Sequence, residues 1–152
     1  LISADASTLL LSRLTDPWLS LGVLRRDELL EGRVSLTEAC ASSVGSLARP
    51  DCNLATLSHD GRLLAFRSQS VELDPSSSLL ARGGVFVRDT RSGVTSRRLD
   101  ANEALGAPTA AAESFALSGD GRFLVLSTSS STLVANDTNE SADVFLVRVP
   151  PL

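Results

Sequence analysis

The chain contains little of several residue types on which common functions depend. Its 152 residues include no Tyr, one Trp, one His and two Cys, and all fourteen basic residues are Arg. Aromatic residues make up only 4% of the chain, so the stacking platforms of a lectin or a single-strand binder are poorly supported. The formal net charge of −4 argues against nucleic acid as a partner, since nucleic-acid binding needs a basic face.

Long apolar runs are also absent. No run approaches the roughly 20 residues of a membrane-spanning helix, so we predict no membrane span, and we find no pattern of a secretory signal peptide. Because the chain starts at Leu1 rather than Met, we expect a processed product or part of a longer protein. A hydrophobic content of 43% is sufficient for the core of one domain.

The two cysteines, Cys40 and Cys52, lie in one stretch that is rich in Ser, Ala, Gly and Pro. A disulfide between them would close an irregular loop and would indicate an oxidising compartment. The alternative is two thiols in a reducing compartment. We favour the disulfide because a long irregular loop gains most from such a cross-link. Two Cys and one His cannot form a structural zinc site without carboxylates.

One segment occurs three times in the chain. Ser58–Ser68 and Ser118–Ser127 share the pattern Ser-x-Asp-Gly-Arg followed by an apolar run, and Ser3–Ser12 is a weaker copy. A second element follows each copy, at Val85–Asp89, at Val144–Arg148 and, more loosely, at Val23–Asp27. Two elements that repeat in phase predict one structural unit of about 60 residues that is used three times.

The repeated unit predicts short antiparallel strands. Asp-Gly favours a tight hairpin turn because Gly accepts a positive φ and Asp can hydrogen-bond to its own turn. The predicted strands of the two clear copies are Leu54–Leu57, Arg62–Ser68, Val85–Asp89, Val94–Leu99, Ser114–Leu117, Phe123–Ser127 and Val144–Arg148. The best helix candidate is Asp27–Leu30, where the other copies have the turn between their third and fourth strands.

Four short strands in a unit of about 60 residues are typical of a β-propeller blade. We therefore predict an all-β chain of three four-stranded antiparallel blades, incomplete at both ends. The blade boundaries fall near residues 1–53, 54–112 and 113–152.

Together with Asn136–Asn139 and Asp143–Phe145, the Ser-x-Asp-Gly-Arg motif resembles the repeats of TolB-like β-propellers from bacterial envelope and secreted proteins. The resemblance covers nearly the whole chain, although the first copy has Asp5-Ala6 in place of Asp-Gly. It implies a propeller fold and an extracellular, periplasmic or cell-envelope location. The family includes interaction scaffolds, enzyme-associated propellers and uncharacterised surface proteins, so the resemblance does not fix a function.

Two polar clusters are candidates for chemistry. Ser58, His59 and Asp60 are the residue types of a hydrolase triad, but adjacent residues cannot converge on a substrate as a triad must. We therefore predict a solvated turn histidine and no catalytic residue. Asp137, Asn139 and Asp143 offer the oxygen ligands that Ca²⁺ prefers, and the alternative is a set of Asx turns.

Other polar residues are predicted to be structural. The turn residues are Asp60, Gly61, Arg62, Asp120, Gly121 and Arg122. We expect both turn arginines to pair with carboxylates of neighbouring turns, and Arg88 and Asp89 to make similar contacts. Trp18 is predicted to be either a packing residue or an exposed contact residue.

Connection lengths predict where binding occurs. The long connections are Gln69–Gly83, Thr128–Ala142, Thr37–Asn53 and Asp100–Glu113. In an up-and-down blade these loops would lie on one face, and long loops on a rigid scaffold often carry binding residues.

These observations favour a non-catalytic, secreted or cell-envelope β-propeller that acts as a structural or protein-interaction scaffold. Its partners would be other blades of a longer chain or other subunits, including a homo-oligomer or a filament. One alternative is the propeller portion of a larger hydrolase, similar to the prolyl oligopeptidases. Another is a calcium-dependent adhesin, with calcium as the cofactor candidate.

Overall fold

A computed structural model describes residues 1–15, 18–33, 37–38, 52–68, 73, 84–100, 113–129, 136–139 and 141–152. The described elements are ten strands and one short helix. In chain order they are β1 (Thr8–Thr15), β2 (Trp18–Arg25), α1 (Arg26–Leu30), β3 (Thr37–Glu38), β4 (Cys52–Leu57), β5 (Leu63–Ser68), β6 (Gly84–Asp89), β7 (Thr95–Asp100), β8 (Ser114–Leu117), β9 (Phe123–Thr128) and β10 (Asp143–Arg148). No described helix is long and apolar enough to cross a membrane.

The strands form three antiparallel sheets. The first sheet has the order β1-β2-β3, the middle sheet β4-β5-β6-β7 and the third sheet β10-β9-β8. Within each sheet, the described strands that are consecutive in the sequence pair with one another, as expected for hairpin-connected units. An isolated bridge between Ile2 and Leu9 adds the start of the chain to the free edge of β1. The chain is all-β, as the repeat predicted, and the predicted strands of the two clear copies agree with the observed ones to within two residues.

The sheets are equivalent in register. Phe66 lies opposite Phe86 in the middle sheet, and Leu126 lies opposite Phe145 in the third sheet. In the first sheet, Thr8 lies opposite Arg25, just as Leu63 lies opposite Asp89 in the middle sheet. Arg25 therefore corresponds to Asp89, and the expected match of Val23–Asp27 to Val85–Asp89 is wrong by two residues. Residues at matching positions of different sheets can therefore be compared directly.

Two apolar clusters join the sheets. The first includes Leu10 and Val23 of the first sheet with Leu64 and Phe66 of the middle sheet. The second includes Ala65, Val85 and Val87 of the middle sheet with Leu124 and Leu126 of the third sheet. Because side chains alternate along a strand, β5 and β6 contribute to both clusters, and the middle sheet is buried on both faces.

Two features of the described chain depart from regular strands. Helix α1 occupies the position of the predicted helix candidate, between β2 and β3. The register of β4 and β5 shifts between Asn53 and Ala55, and Leu54 at this shift has a φ of +47°. A bulge of this kind bends the strand and increases its local twist.

Candidate functional site

The Ser-x-Asp-Gly turn between β4 and β5 is held by its own side chains. The Ser58 hydroxyl donates to Oδ1 of Asp60 at 2.7 Å and accepts the Leu63 N–H at 2.9 Å. The same carboxylate oxygen accepts the Arg62 N–H at 3.0 Å. Gly61 has a φ of +64°, a left-handed conformation that glycine adopts without a Cβ penalty.

The other two copies form the same turn. In the third sheet, Ser118 donates to Asp120 at 2.6 Å, and Gly121 has a φ of +72°. Before the first sheet, Ser3 donates to Asp5 at 2.8 Å. Ala6 takes the place of the glycine there, and its φ is +54°. The weak first copy therefore forms the same local structure, at the cost of a strained alanine.

These hydrogen bonds stabilise the charged form of each turn carboxylate. The Ser7 N–H, followed by the hydroxyls of Ser7 and Ser3, lowers the pKa of Asp5 to about 2. The Ser58 hydroxyl lowers the pKa of Asp60, and the Ser118 hydroxyl lowers that of Asp120. These aspartates are therefore structural acceptors that remain ionised at neutral pH.

The three turns contact one another through His59. Its N–H donates to the Gly119 carbonyl at 2.8 Å, and its carbonyl accepts the Asp5 N–H at 3.3 Å. The Ser7 hydroxyl also donates to the Asp60 carbonyl at 3.0 Å. His59 thus joins the turns by its backbone, and the Ser58 hydroxyl is directed to Asp60. The geometry supports the expectation that this motif is a turn.

Arg62 pairs with a carboxylate at the start of another turn, as we expected. Its Nε lies 2.8 Å from Oδ2 of Asp89. Arg122 instead lies 3.8 Å from Oδ2 of Asp120 in its own turn, because Arg148 occupies the position that corresponds to Asp89. Arg88 donates to the Thr95 hydroxyl at 2.9 Å.

The calcium candidates lie together where an exposed loop meets β10, with Asp143 as the first residue of the strand. Asp137, Asn139 and Asp143 line one shallow depression. The Asn139 side-chain oxygen accepts the Ser141 N–H at 2.9 Å, and its amide nitrogen lies 3.4 and 3.5 Å from the Asp143 oxygens. These contacts have the pattern of Asx turns. Calcium binding stays a prediction.

Several predicted residues cannot be placed. Cys52 is fully buried on β4, whereas Cys40 lies outside the described residues, so the disulfide also stays a prediction. Trp18 begins β2, but its side chain is outside the described part of the chain. Most of the four long connections falls there as well.

One feature was missed in the sequence. A cavity of about 230 Å³ lies between the first and middle sheets, beside the turns of Ser7 and Gly61. Arginines from distant segments line it: Arg25 ends β2, Arg26 begins α1, and Arg91 follows β6. Their separation in the chain leaves no local motif that could have revealed the site.

No family model matches the chain, and no curated protein matches it. Solved structures do match. One, from a study of two prolyl endopeptidases, is 17% identical with a TM-score of 0.53, and the match covers 97% of this chain and 20% of that one. Another, TolB from Acinetobacter baumannii, is 16% identical with a TM-score of 0.50, and the match covers 99% of this chain and 31% of that one.

At this level of identity the likeness concerns the fold alone. The chain is all-β with antiparallel sheets, and this architecture is consistent with a β-propeller-like fold. The TolB-like fold that we expected from the sequence is plausible on the same grounds. The chain spans less than a third of the length of either structure.

Proposed function

We propose that this chain is a non-catalytic protein-interaction scaffold, built from three blades of a β-propeller that are incomplete at both ends. The three matching turns and the common register support this division. The blades correspond to residues 1–53, 54–112 and 113–152. The resemblance in the sequence supports a secreted or cell-envelope location.

The observation that carries the proposal is an apolar face on the third sheet, which we call the outer face. It consists of Phe123 and Val125 on β9 and Val144 and Leu146 on β10, whose exposed fractions are 40%, 41%, 73% and 68%. These side chains point away from the second apolar cluster, to which their neighbours Leu124 and Leu126 belong.

The strand register allows the outer face to be compared with the matching face of the middle sheet. The four matching positions on the middle sheet are Leu63, Ala65, Val85 and Val87. All four pack against the third sheet in the second apolar cluster. The outer face therefore has the composition and position of a sheet-to-sheet interface, and contiguous exposed apolar patches generally mark interaction sites.

The partner that fits the outer face is another antiparallel sheet of the same construction. In the isolated 152-residue chain, a second copy supplies this sheet. Burying a large apolar side chain contributes about 1.5–3 kcal/mol, so the four side chains together provide a substantial driving force for association.

Light scattering on the isolated chain tests the proposal. We expect a particle larger than the 16.0 kDa monomer. Leu146→Glu, in the outer face, should shift the mass to that of a monomer. Val94→Glu is the matched control, because Val94 is 50% exposed but lies in the turn before β7. A wild-type chain that stays monomeric at micromolar concentration and unfolds cooperatively would contradict the proposal.

The second candidate is the propeller portion of a larger hydrolase, and the fold likeness to a prolyl endopeptidase favours it. This candidate needs a catalytic α/β domain elsewhere in the full-length protein. The complete open reading frame distinguishes the two: a domain with a nucleophile elbow favours the hydrolase, whereas further repeats favour the scaffold. Calcium-dependent adhesion is a further proposal, and it depends on calcium binding by Asp137, Asn139 and Asp143.

A further inference from the structure

The cavity between the first and middle sheets is a second candidate site, and it lies apart from the outer face. Its volume is about 230 Å³. The lining residues that matter here are Ser7, Arg25, Arg26, Asp27, Asp60 and Arg91.

A comparison of matching positions shows why space is left here. The Ser7 carbonyl accepts the Arg26 N–H at 2.9 Å, just as the Arg62 carbonyl accepts the Thr90 N–H at 2.8 Å. Ser7 is therefore the counterpart of Arg62. On the middle sheet a long arginine side chain extends from this position to Asp89, whereas on the first sheet a serine is too short to fill the same place.

The same comparison shows why the cavity is cationic. Arg25 occupies the position on the first sheet that Asp89 occupies on the middle sheet. The ion pair of one sheet is thus replaced by a serine and a cation on the other. Arg25 donates to the Thr90 carbonyl, and Nη1 of Arg26 donates to the Asp5 carbonyl at 3.4 Å. The Asp5 carboxylate also interacts electrostatically with Arg26, and the Asp60 carboxylate with Arg91. Among the described residues, the contact given for Arg25 is to a neutral carbonyl, so Arg25 is the lining cation without a carboxylate contact.

The two carboxylates in the lining are already engaged as acceptors. Oδ1 of Asp60 accepts the Ser58 hydroxyl and the Arg62 N–H, and Oδ1 of Asp27 accepts the Glu28 N–H at 3.0 Å. Three arginines and two aspartates give the lining a formal charge of 3 − 2 = +1, in a protein whose net charge is −4.

We propose that this cavity binds a carboxylate group carried by a partner protein segment. Guanidinium groups bind carboxylates through paired, charge-assisted hydrogen bonds. A lining charge of +1 is neutralised by a single carboxylate, whereas a phosphate dianion would leave an excess negative charge next to Asp27 and Asp60. The volume also exceeds that of a bare carboxylate, so it can accept the attached part of a side chain or chain terminus.

NMR titration of the 15N-labelled full chain tests the proposal with three small probes. These are propionate, its neutral analogue propionamide, and inorganic phosphate. We expect saturable shifts of the Thr8, Gly61 and Thr90 amide signals, which belong to lining residues, with propionate and not with propionamide. Tighter binding of phosphate than of propionate would overturn the carboxylate assignment.

Variants of the lining show whether propionate binds in the cavity. Arg91→Gln removes one charge from the lining, and Ser7→Gln fills part of the space without changing the charge. Each should weaken propionate binding by about ten-fold or more. Arg122→Gln is the matched control, because this exposed arginine follows the turn of the third sheet, away from the cavity. An equal loss in Arg122→Gln, or shifts that never saturate, would overturn the proposal. The 15N spectrum reports whether each variant is folded. Propionate binding in the cavity is also independent of the association through the outer face, so the two proposals can fail separately.

Discussion

Nε of Arg62 donates to Oδ2 of Asp89 at 2.8 Å, and this ion pair joins the two short turns at one end of the middle sheet. The two partners differ in their surroundings. The Asp89 side chain is 3% exposed and that of Arg62 is 52% exposed. Oδ1 of Asp89 also accepts the N–H groups of Arg91 and Ser92, at 2.8 and 3.0 Å. Asp89 therefore organises its own turn as well as the ion pair.

The two partners should therefore contribute unequally to stability. Asp89→Ala leaves several donors without their charged acceptor, and we expect it to lower the free energy of unfolding by about 2–3 kcal/mol. Arg62→Ala removes a half-exposed, solvent-screened partner and should cost no more than about 1 kcal/mol. Urea unfolding of both variants provides the comparison. Equal losses would show that the ion pair, rather than the turn, is the main contribution of Asp89.

Acid should destabilise the fold through the turn carboxylates. The pKa values of Asp5, Asp60 and Asp120 are lowered in the folded chain. Burial raises the pKa of Asp89, but hydrogen bonds from Ser92, Arg62 and Arg91 outweigh this effect and leave it lowered. A lowered folded-state pKa stabilises the fold at pH values above the pKa of the unfolded chain. That contribution is lost as the pH falls through the folded-state pKa.

For Asp5 the relevant pH window runs from 3.8 down to about 2. We expect the urea concentration at the unfolding midpoint to decrease as the pH is lowered through this range. The carboxyl carbon signal of Asp5 should titrate near the lower limit of the range. Ser118→Ala removes the principal donor to Asp120 and should raise the pKa of that residue. Titration of Asp5 at the ordinary value of an aspartate would show that the turn hydrogen bonds do not form.

The turns were the most predictable part of the molecule, because Ser-x-Asp-Gly carries its own hydrogen-bond partners within a few residues. The same pattern also located most strands. The partner of Arg62 was predictable only as the carboxylate of some neighbouring turn, since the choice of Asp89 depends on the register of β5 and β6. Ala6 shows that the turn forms even without its glycine.

Other features depend on contacts that a linear pattern does not contain. Leu63–Ser68 is largely apolar throughout, so its sequence does not show that alternate residues face different clusters. The bulge at Leu54 could not be predicted either. Its positive φ favours glycine, but the residue at this position is a leucine. The cationic cavity combines residues 7, 25 and 91, whose proximity is visible only once the sheets are in place.

The two turn glycines should differ in their tolerance of alanine. A Cβ on Gly61 would overlap Cβ and Oγ1 of Thr8, whereas a Cβ on Gly121 would lie 2.6 Å from the Leu63 methyl group. A methyl group at the end of a side chain can move, but the Cβ of Thr8 cannot move without its backbone. In both variants, the left-handed conformation of the alanine also costs about 1–2 kcal/mol of folding free energy.

We therefore expect Gly61→Ala to lower the free energy of unfolding by about 2–4 kcal/mol, and Gly121→Ala by about 1–2 kcal/mol. The reverse change, Ala6→Gly, relieves the strained alanine and should stabilise the chain by up to about 1 kcal/mol. The denaturant concentrations at the unfolding midpoints rank the three variants by stability. If Gly121→Ala proves the more damaging of the two glycine variants, the packing of Thr8 against Gly61 is not as described.

Calcium binding at Asp137, Asn139 and Asp143 requires a local rearrangement. The Asn139 oxygen must leave the Ser141 N–H, and its amide nitrogen must turn away from Asp143. A bound ion stabilises the folded state by mass action, so a functional site predicts a melting temperature that rises with calcium concentration. Asp143→Ala should abolish this rise. Magnesium is the control ion, because it needs shorter, near-octahedral coordination. A melting temperature that responds to neither millimolar calcium nor EDTA would leave the Asx turns as the full account of this loop.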